Sequence, residues 1–129
     1  MKYINLNVNA PGAMAGSNLV IAGDWGYITG ISPIDLEKPD SSLPELVEAQ
    51  TRKLFKNLDQ ILDSEKLNKS SVVSIRVNII NFDRLCDRVL PVIHDYFTPG
   101  KIPGISCNGV LANRRGAQVE MDLILYFSN

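Results

Sequence analysis

Hydrophobic positions along the chain follow two spacings, and these spacings predict where strands and helices lie. Between Val73 and Ile79 apolar and polar residues alternate, which is the pattern of a strand with one polar face. Short apolar runs bounded by glycine, such as the one that ends at Gly23, predict buried strands. Six segments are therefore predicted as strands: Lys2–Val8, Leu19–Ala22, Tyr27–Ile31, Val73–Ile79, Ile105–Leu111 and Ala117–Phe127.

Two other segments carry apolar residues at helical spacing. The first follows a capping box formed by Ser42 and Glu45, and its spacing continues to about Ser64. The second begins at Asn81, which we predict as its N-cap residue. Pro91 lies inside this second helix and is predicted to kink or split it, because proline removes a backbone donor.

The connections between these elements complete the predicted order. Ala10–Gly12 contains chain breakers, and Ser32–Leu43 is rich in Pro, Asp and Ser, so it is predicted as a loop. Asn113–Gly116 is predicted as a hairpin turn between the last two strands. The order β-β-β-α-β-α-β-β indicates an α+β fold in which helices cover one face of a mixed sheet and the other face stays free.

Composition narrows the class of protein. The chain of 129 residues has the length of one domain, 1–129, and its net charge of -1 argues against binding of a nucleic-acid backbone. No apolar run reaches the roughly 18 residues of a membrane span, and the N-terminus lacks the apolar stretch of a signal peptide. Cys86 and Cys107 fit no zinc-binding spacing. We expect a cytoplasmic protein with no metal, cofactor, nucleic-acid or membrane partner.

Two strings carry a more specific signal. Val47–Arg52 reads VEAQTR, and Pro103–Val110 reads PGISCNGV and is followed by Val119-Glu120-Met121. In this order and spacing they resemble the YjgF/Rid family of imine and enamine deaminases (RidA-like proteins), with a similarity that extends from about Gly16 to Phe127. The resemblance implies a chorismate-mutase-like six-stranded sheet with two helices on one face. It also implies a homotrimer with small-molecule clefts between neighbouring subunits.

The resemblance also assigns candidate site residues. In family deaminases a water adds to the imine carbon with the help of a glutamate, and Glu120 occupies that position here. Ser106 and Cys107 fall where the family has the same residues. Gly23 matches a glycine whose backbone lines the family pocket, and Asp24 follows it at the expected rim.

Three departures remove polar contacts that the family makes. Ile105 stands where the family has the arginine that pairs with the substrate carboxylate, a role that needs a planar fork of donors. The family asparagine on the second helix aligns with Val89 or Leu90. A family string that ends in a pocket-closing tyrosine is absent from the shortened segment Ala10–Ser17. We therefore do not expect ordinary 2-imino acid deamination.

Each candidate also has a simpler interpretation. Glu120 is either a general base with a pKa raised by burial or an ordinary polar strand residue. Cys107 is either a nucleophile or, as the more favoured alternative, a buried structural cysteine. Trp25 is either a ligand contact or a core residue. Arg114 and Arg115 are best explained as a solvated turn, with replacement of the missing cation as the alternative.

Two functional hypotheses follow from these observations. The first is a Rid-family enzyme that acts on a reactive imine, enamine or related carbonyl intermediate, by hydrolysis or water addition, in a specialised pathway. The second is a non-catalytic trimeric module that binds a metabolite or a protein. A ribonuclease activity is a weaker third possibility, because no basic stripe is present to hold a phosphate backbone.

Overall fold

The structure is a computed structural model that describes residues 1–6 and 16–128. Within these residues six strands and two α-helices follow each other in the predicted order. They are β1 (Lys2–Ile4), β2 (Leu19–Ala22), β3 (Trp25–Ile31), α1 (Val47–Ser64), β4 (Val72–Ile79), α2 (Phe82–Tyr96), β5 (Gly104–Gly109) and β6 (Val119–Tyr126). The predictions for Ala10–Gly12 and for β1 beyond Leu6 fall on residues outside this description.

The strands form one mixed sheet in the order β1-β2-β3-β6-β4-β5. All neighbours are antiparallel except β4 and β5, which α2 connects as a parallel pair. The predicted hairpin at Asn113–Gly116 is therefore wrong, because β4 lies between β5 and β6. The segment instead carries the chain past the end of β4, with a 3-10 turn at Arg114–Gly116.

Both helices cover one face of the sheet, as the alternating strands predicted. The apolar residues of β4 and β6 that point to this face, such as Val77 and Met121, are fully buried. Burial of each such side chain contributes about 1.5–3 kcal/mol relative to an exposed position. The opposite face, which we call the open face, has no covering layer in the described chain, and this α+β arrangement is the one that the sequence predicted.

The beginning of α1 differs from the prediction. Leu46 is the N-cap residue and makes no side-chain cap, so the capping box at Ser42 is not used. Instead, the buried Gln50 donates from Nε2 to the Pro44 carbonyl at 2.8 Å and accepts the backbone N–H of Gln118 at 2.8 Å. One buried amide side chain thus connects the start of α1 to the chain that leads into β6.

The second helix also differs in one respect. It runs without interruption from Phe82 to Tyr96, so the prediction that Pro91 splits it is wrong. Pro91 is exposed. Because proline has no backbone N–H, the carbonyl group one turn earlier has no helical partner, and this carbonyl is on the side of the helix open to water. Asn81 is the N-cap as predicted, but it has a left-handed conformation (φ 48°, ψ 51°) and makes no side-chain cap.

Candidate functional site

The open face of the sheet has an apolar end. Trp25, Tyr27, Ile124 and Tyr126 lie there on adjacent strands and are 38–44% exposed. The rings of Trp25 and Tyr126 contact each other edge to face, with centroids 4.9 Å apart. Large apolar side chains that cluster on a surface mark an interaction site.

The other end of the same face is polar. Glu120 on β6 pairs with Asn78 on β4, and Asp122 pairs with Arg76. A cavity of about 650 Å³ opens at this end, where β3 gives way to the following loop, and Glu120 lies in its wall. Two smaller cavities are also present. One, of about 300 Å³, lies between α1 and α2, and the other, of about 440 Å³, is lined by Ile105 and Ser106. We take the 650 Å³ cavity as the candidate site because Glu120 lies in its wall.

Glu120 has the electrostatic properties of a proton-transfer group. Burial raises the pKa of its carboxyl group above the usual range, and the nearby Asp122 raises it further. The backbone N–H of Arg114, 3.4 Å from Glu120 Oε2, and the charge of Arg114 act in the opposite direction. The pKa remains raised above the usual range of a glutamate, which is the direction that favours proton transfer by a carboxyl group.

The backbone beside Glu120 is shaped by Gly30. The register of β3 against β6 shifts between Ile28 and Ile31, and Gly30 lies in this irregularity with a φ of +68°. Its N–H donates to Asp122 Oδ1 at 2.8 Å instead of to the strand ladder. A Cβ atom at this position would lie 3.8 Å from Glu120 Oε1. Glycine therefore allows the backbone to turn close to the carboxyl group.

Asn57 holds the loop that forms another part of the cavity wall. It lies on α1, is almost fully buried, and donates from Nδ2 to the carbonyls of Ser32 at 2.9 Å and Ile34 at 2.6 Å. Among the described residues its Oδ1 is buried without a partner. Sequence reasoning did not select Asn57, although a polar residue between Leu54 and Leu58 on an apolar helix face is a usable signal.

The candidates on β5 lie on two different faces. Ile105 and Cys107 pair with Ile75 and Val77 and pack against the core on the helix-covered face. Ser106, between them, is exposed on the open face. Ile105 and Cys107 therefore do not meet Glu120 within one chain, because the sheet separates them.

The pKa of Cys107 and the burial of Val89 bear on the roles predicted for these two residues. The pKa of the Cys107 thiol is raised to about 11, chiefly by burial and also by Cys86. Such a thiol is largely protonated at neutral pH and is a weak nucleophile. Val89 has no exposed surface, because it packs between α2 and the sheet, and a ligand does not reach it in this conformation.

The candidates before β3 lie far from Glu120. Gly23, with a φ of +61°, and Asp24 form the two-residue turn between β2 and β3. Trp25 pairs with Tyr126, six residues from Glu120 along β6, which corresponds to about 20 Å. In one chain the structure brings Gly30, and not Gly23, next to Glu120. The resemblance had selected Gly23, whereas the strand register places Gly30 beside Glu120.

The two arginines after β5 have different surroundings. Arg114 lies in the cavity wall beside Glu120, which the sequence offered only as an alternative to a solvated turn. Arg115 has a left-handed backbone (φ 58°), and its guanidinium group is 4.0 Å from the carboxylate of Asp40. A cation is thus present at the candidate site, although it does not come from position 105.

Other kinds of site are not apparent in the part of the chain that the structure describes. Residues 1–6 and 16–128 contain no cluster of three His, Cys, Asp or Glu side chains suited to a metal ion. Within the same residues no helix combines the length and apolar character needed to cross a lipid bilayer.

The mixed six-stranded sheet with two helices on one face defines a small α+β protein. The sequence model of the family described as Endoribonuclease L-PSP matches residues 8–127. The chain belongs to this family, which is the YjgF/Rid family that the motifs indicated. No curated protein matches the chain.

Solved structures with the same fold extend over nearly the whole chain. A Yersinia pestis protein of the conserved Rid family, YyfA, described as of unknown function, is 29% identical, with 92% of this chain and 93% of that chain covered and a TM-score of 0.81. RidA from the Antarctic bacterium Psychrobacter sp. is 23% identical over 98% and 100% of the two chains, with a TM-score of 0.87. E. coli TdcF, solved with bound serine, is 21% identical over 98% and 100%, with a TM-score of 0.83. The last two similarities show the fold alone.

Proposed function

We propose that this protein is an enzyme that adds water to a reactive imine, enamine or related carbonyl intermediate, with Glu120 as the group that transfers the proton. The observation that carries the proposal is the half-buried Glu120 with its raised pKa in the wall of a 650 Å³ cavity. Burial raises the pKa of a carboxyl group only where the site is partly shielded from water. Perturbed carboxyl groups in cavities are candidates for catalysis for this reason.

The reaction needs two proton transfers at one place. Glu120, as a carboxylate, accepts a proton from water while the water oxygen bonds to the imine carbon. Glu120 passes this proton to the nitrogen, which gives a carbinolamine. The carboxylate then carries the hydroxyl proton of the carbinolamine to the nitrogen as well, the carbon–nitrogen bond breaks while the carbonyl group forms, and ammonia leaves. The backbone N–H of Arg114 lies beside Glu120 Oε2 and favours its charged form, in which it acts as the base.

The preferred substrate in this proposal lacks a carboxylate next to the imine. Ile105 presents no cation and packs against the core, so the family's bidentate arginine contact is not available from this position. Arg114 is the one cationic residue among the described residues that line the cavity. Because it already interacts with Glu120, we assign it to the proton-transfer group and not to a substrate acid.

We further propose that the active assembly is a cytoplasmic homotrimer with the substrate bound between subunits. Glu120 and the side chains of Ile105 and Cys107 lie on opposite faces of one sheet, so a cleft that uses both sets needs two chains. The exposed apolar end of the open face is suited to burial against copies of itself. No covalent step is assigned to Cys107, because the raised pKa keeps its thiol protonated.

The experiment is ammonia release from freshly generated imines. Imines without a carboxylate are compared with 2-iminobutyrate, at matched concentration and with the rate of spontaneous hydrolysis subtracted. We expect turnover of the neutral imines and little of 2-iminobutyrate. Efficient turnover of 2-iminobutyrate would contradict the proposed specificity and would point to Arg114 as the carboxylate anchor, while no turnover of either class would contradict the enzyme proposal.

A non-catalytic binding module is the alternative, and the loss of the substrate-anchoring arginine at Ile105 favours it. The two functions differ in their response to Glu120→Gln. An enzyme loses turnover in this variant, whereas a binding module retains its ligand affinity because the amide preserves the shape of the side chain. Ligand affinity measured by calorimetry beside turnover separates them.

A ribonuclease function is suggested by the family description, but we do not propose it for this chain. The net charge is -1, and the cavity wall combines Arg114 with Glu120 instead of a row of cations. Binding of an RNA backbone depends on clustered positive charge.

A further inference from the structure

The only two cysteines in the sequence lie on facing structural elements. Cys86 is on α2 and Cys107 is on the edge strand β5, and both are partly buried and packed against the core. They are 21 positions apart in the sequence, so nothing in their spacing indicates that they meet. The proposed reaction uses neither thiol.

The geometry of the crossover brings them together. Because α2 connects the parallel strands β4 and β5, it runs antiparallel to β5. Phe82, at the start of α2, lies against Gly109, at the end of β5, so closely that a Cβ at Gly109 would be 3.1 Å from Phe82 Cβ. At this point the helix and the strand are at least as close as the Cβ atoms of a disulfide, which lie about 3.5–4.5 Å apart.

Each cysteine lies a short distance along its element from the contact between Phe82 and Gly109. Cys86 is one helical turn beyond Phe82, a rise of about 6 Å. Cys107 is two residues before Gly109 on the same face of the strand, which is a distance of about 6.6 Å along the strand. The two steps have the same direction and nearly the same length, so Cys107 lies close enough to Cys86 for that side chain to raise the pKa of its thiol.

We propose that Cys86 and Cys107 are a reversible oxidation site that closes into a disulfide when the protein meets hydrogen peroxide. The Cys86 sulfur bonds to one peroxide oxygen, the O–O bond breaks, and the thiol proton leaves with the second oxygen as water. The Cys107 sulfur then bonds to the Cys86 sulfur, the S–O bond breaks, and a second water forms with the Cys107 proton. Two thiols lose two electrons, and one peroxide gains them.

The order of the two steps follows from the surroundings of each sulfur. Burial and the neighbouring Cys86 raise the pKa of the Cys107 thiol to about 11, so it reacts poorly with peroxide by itself. Its position against Cys86 makes it well placed to resolve an oxidised Cys86. Disulfides in proteins of reducing compartments are mostly transient and redox-sensing, which fits a pair that is reduced in the resting state.

The disulfide would have a defined structural effect. β5 is an edge strand with hydrogen bonds only to β4, and a covalent connection to α2 would hold it more firmly. Ser106 and Ile105 lie on this strand, so oxidation would also fix the part of the molecule that the proposed intersubunit cleft uses. The inference itself does not depend on the proposed enzyme activity.

The test treats the reduced wild-type protein with hydrogen peroxide and follows free thiols and intact mass. We expect two free thiols to become none, the mass to fall by about 2 units, and dithiothreitol to restore both values. Peptide mapping should find the Cys86 and Cys107 peptides joined within one chain, and the thermal midpoint of unfolding should rise. Cys86→Ala and Cys107→Ala are the matched controls, in which neither the mass loss nor the stabilisation should appear.

Three outcomes would overturn the proposal. One is separate oxidation of the two sulfurs to sulfinic acids without a disulfide. Another is a disulfide that joins two chains, visible as a dimer on a non-reducing gel. The third is loss of both thiols with no change in the thermal midpoint of the wild type relative to the single variants. If either variant does not fold, the thiol count, mass and peptide map of the wild type decide by themselves.

Discussion

The two ends of the open face are built on the same pair of strands, β3 and β6, and differ in nearly every chemical respect. At one end Trp25 pairs with Tyr126 in a regular register, and the side chains are large, apolar and exposed. At the other end the register shifts, Gly30 donates to a side chain instead of to the ladder, and a cavity forms beside Glu120. Regular pairing produces a flat surface, whereas the irregular pairing produces a concave one.

This difference suggests how one sheet supports two tasks. A flat apolar surface suits contact with another protein surface, since association there removes exposed apolar area from water. A concave polar surface suits a small molecule, since it can surround the ligand and shield a carboxyl group from water. We infer that the apolar contact surface and the proton-transfer group lie at opposite ends of the strands, about 20 Å apart.

The largest expected effect is at the polar end. Glu120→Gln should reduce turnover of a neutral imine by about a hundred-fold or more, because general acid–base groups contribute factors of roughly 10²–10⁴. Steady-state ammonia release measures this loss. Glu45→Gln, at an exposed position before α1, is the control and should leave the rate unchanged. A wild-type rate in Glu120→Gln would show that this carboxyl group does not transfer the proton.

The next effect is at the apolar end. Ile124→Lys should convert the proposed trimer to monomers, because an unpaired charge buried at an interface costs on the order of 3–5 kcal/mol. Analytical ultracentrifugation measures the change in mass. Ile102→Lys is the matched control, since Ile102 is as exposed as Ile124 but lies outside the sheet. A trimer that persists in Ile124→Lys would place the subunit interface elsewhere.

A pair of glycine variants compares the two ends directly. Gly23 and Gly30 both have positive φ angles, so Gly23→Ala and Gly30→Ala should each lower the free energy of unfolding by about 1–2 kcal/mol. A Cβ meets no described atom within 4 Å at Gly23 and lies 3.8 Å from Glu120 Oε1 at Gly30. Only Gly30→Ala should therefore change kcat/KM for the imine. Urea denaturation and kinetics on both variants test this, and an effect of Gly23→Ala alone would contradict the location of the site.

The smallest expected effect is a pH dependence of stability. Because the pKa of Glu120 is raised in the folded state, the protonated form is favoured by folding, and that contribution is lost as the pH rises through the folded pKa. Glu120→Gln cannot acquire the charge. The variant should therefore be more stable than the wild type near neutral pH, and the difference should disappear as the pH falls below the usual range of a glutamate. A difference that grows toward low pH would show that the pKa of Glu120 is not raised.

The order of the elements was predictable from the sequence, because local side-chain periodicity is set by the geometry of a strand or a helix. The end of α1 at Ser64 and the loop at Ser32–Leu43 are confirmed. The start of α1 was not predictable in this way. A capping box is a local signal at Ser42, but the buried Gln50 connects α1 to a residue 68 positions later, and this contact outweighs the local one.

The candidate site was predictable only in part. Glu120 was selected, and it lies in the cavity, whereas Gly30 and Asn57 were not selected. Gly30 is recognisable only by the carboxyl group that it approaches in space. Asn57 is a polar residue on an apolar helix face, but the two loop carbonyls that it contacts are visible only in the structure. The predictions for Gly23 and its neighbours came from the family resemblance, which does not reveal which end of a strand pair bears a register shift.

The sequence by itself determined the α+β class and the family, and it selected Glu120 as a candidate site residue. Periodicity and short motifs allow this because they are properties of neighbouring residues. The tertiary structure alone decided which strands are neighbours and on which face each candidate lies. It also decided that Cys86 and Cys107 lie on adjacent elements and that Arg114 lies beside Glu120. These facts depend on strand order and register, which bring together residues that no local pattern connects. A change of one residue in register moves a side chain to the other face of the sheet, so only the folded chain specifies the site.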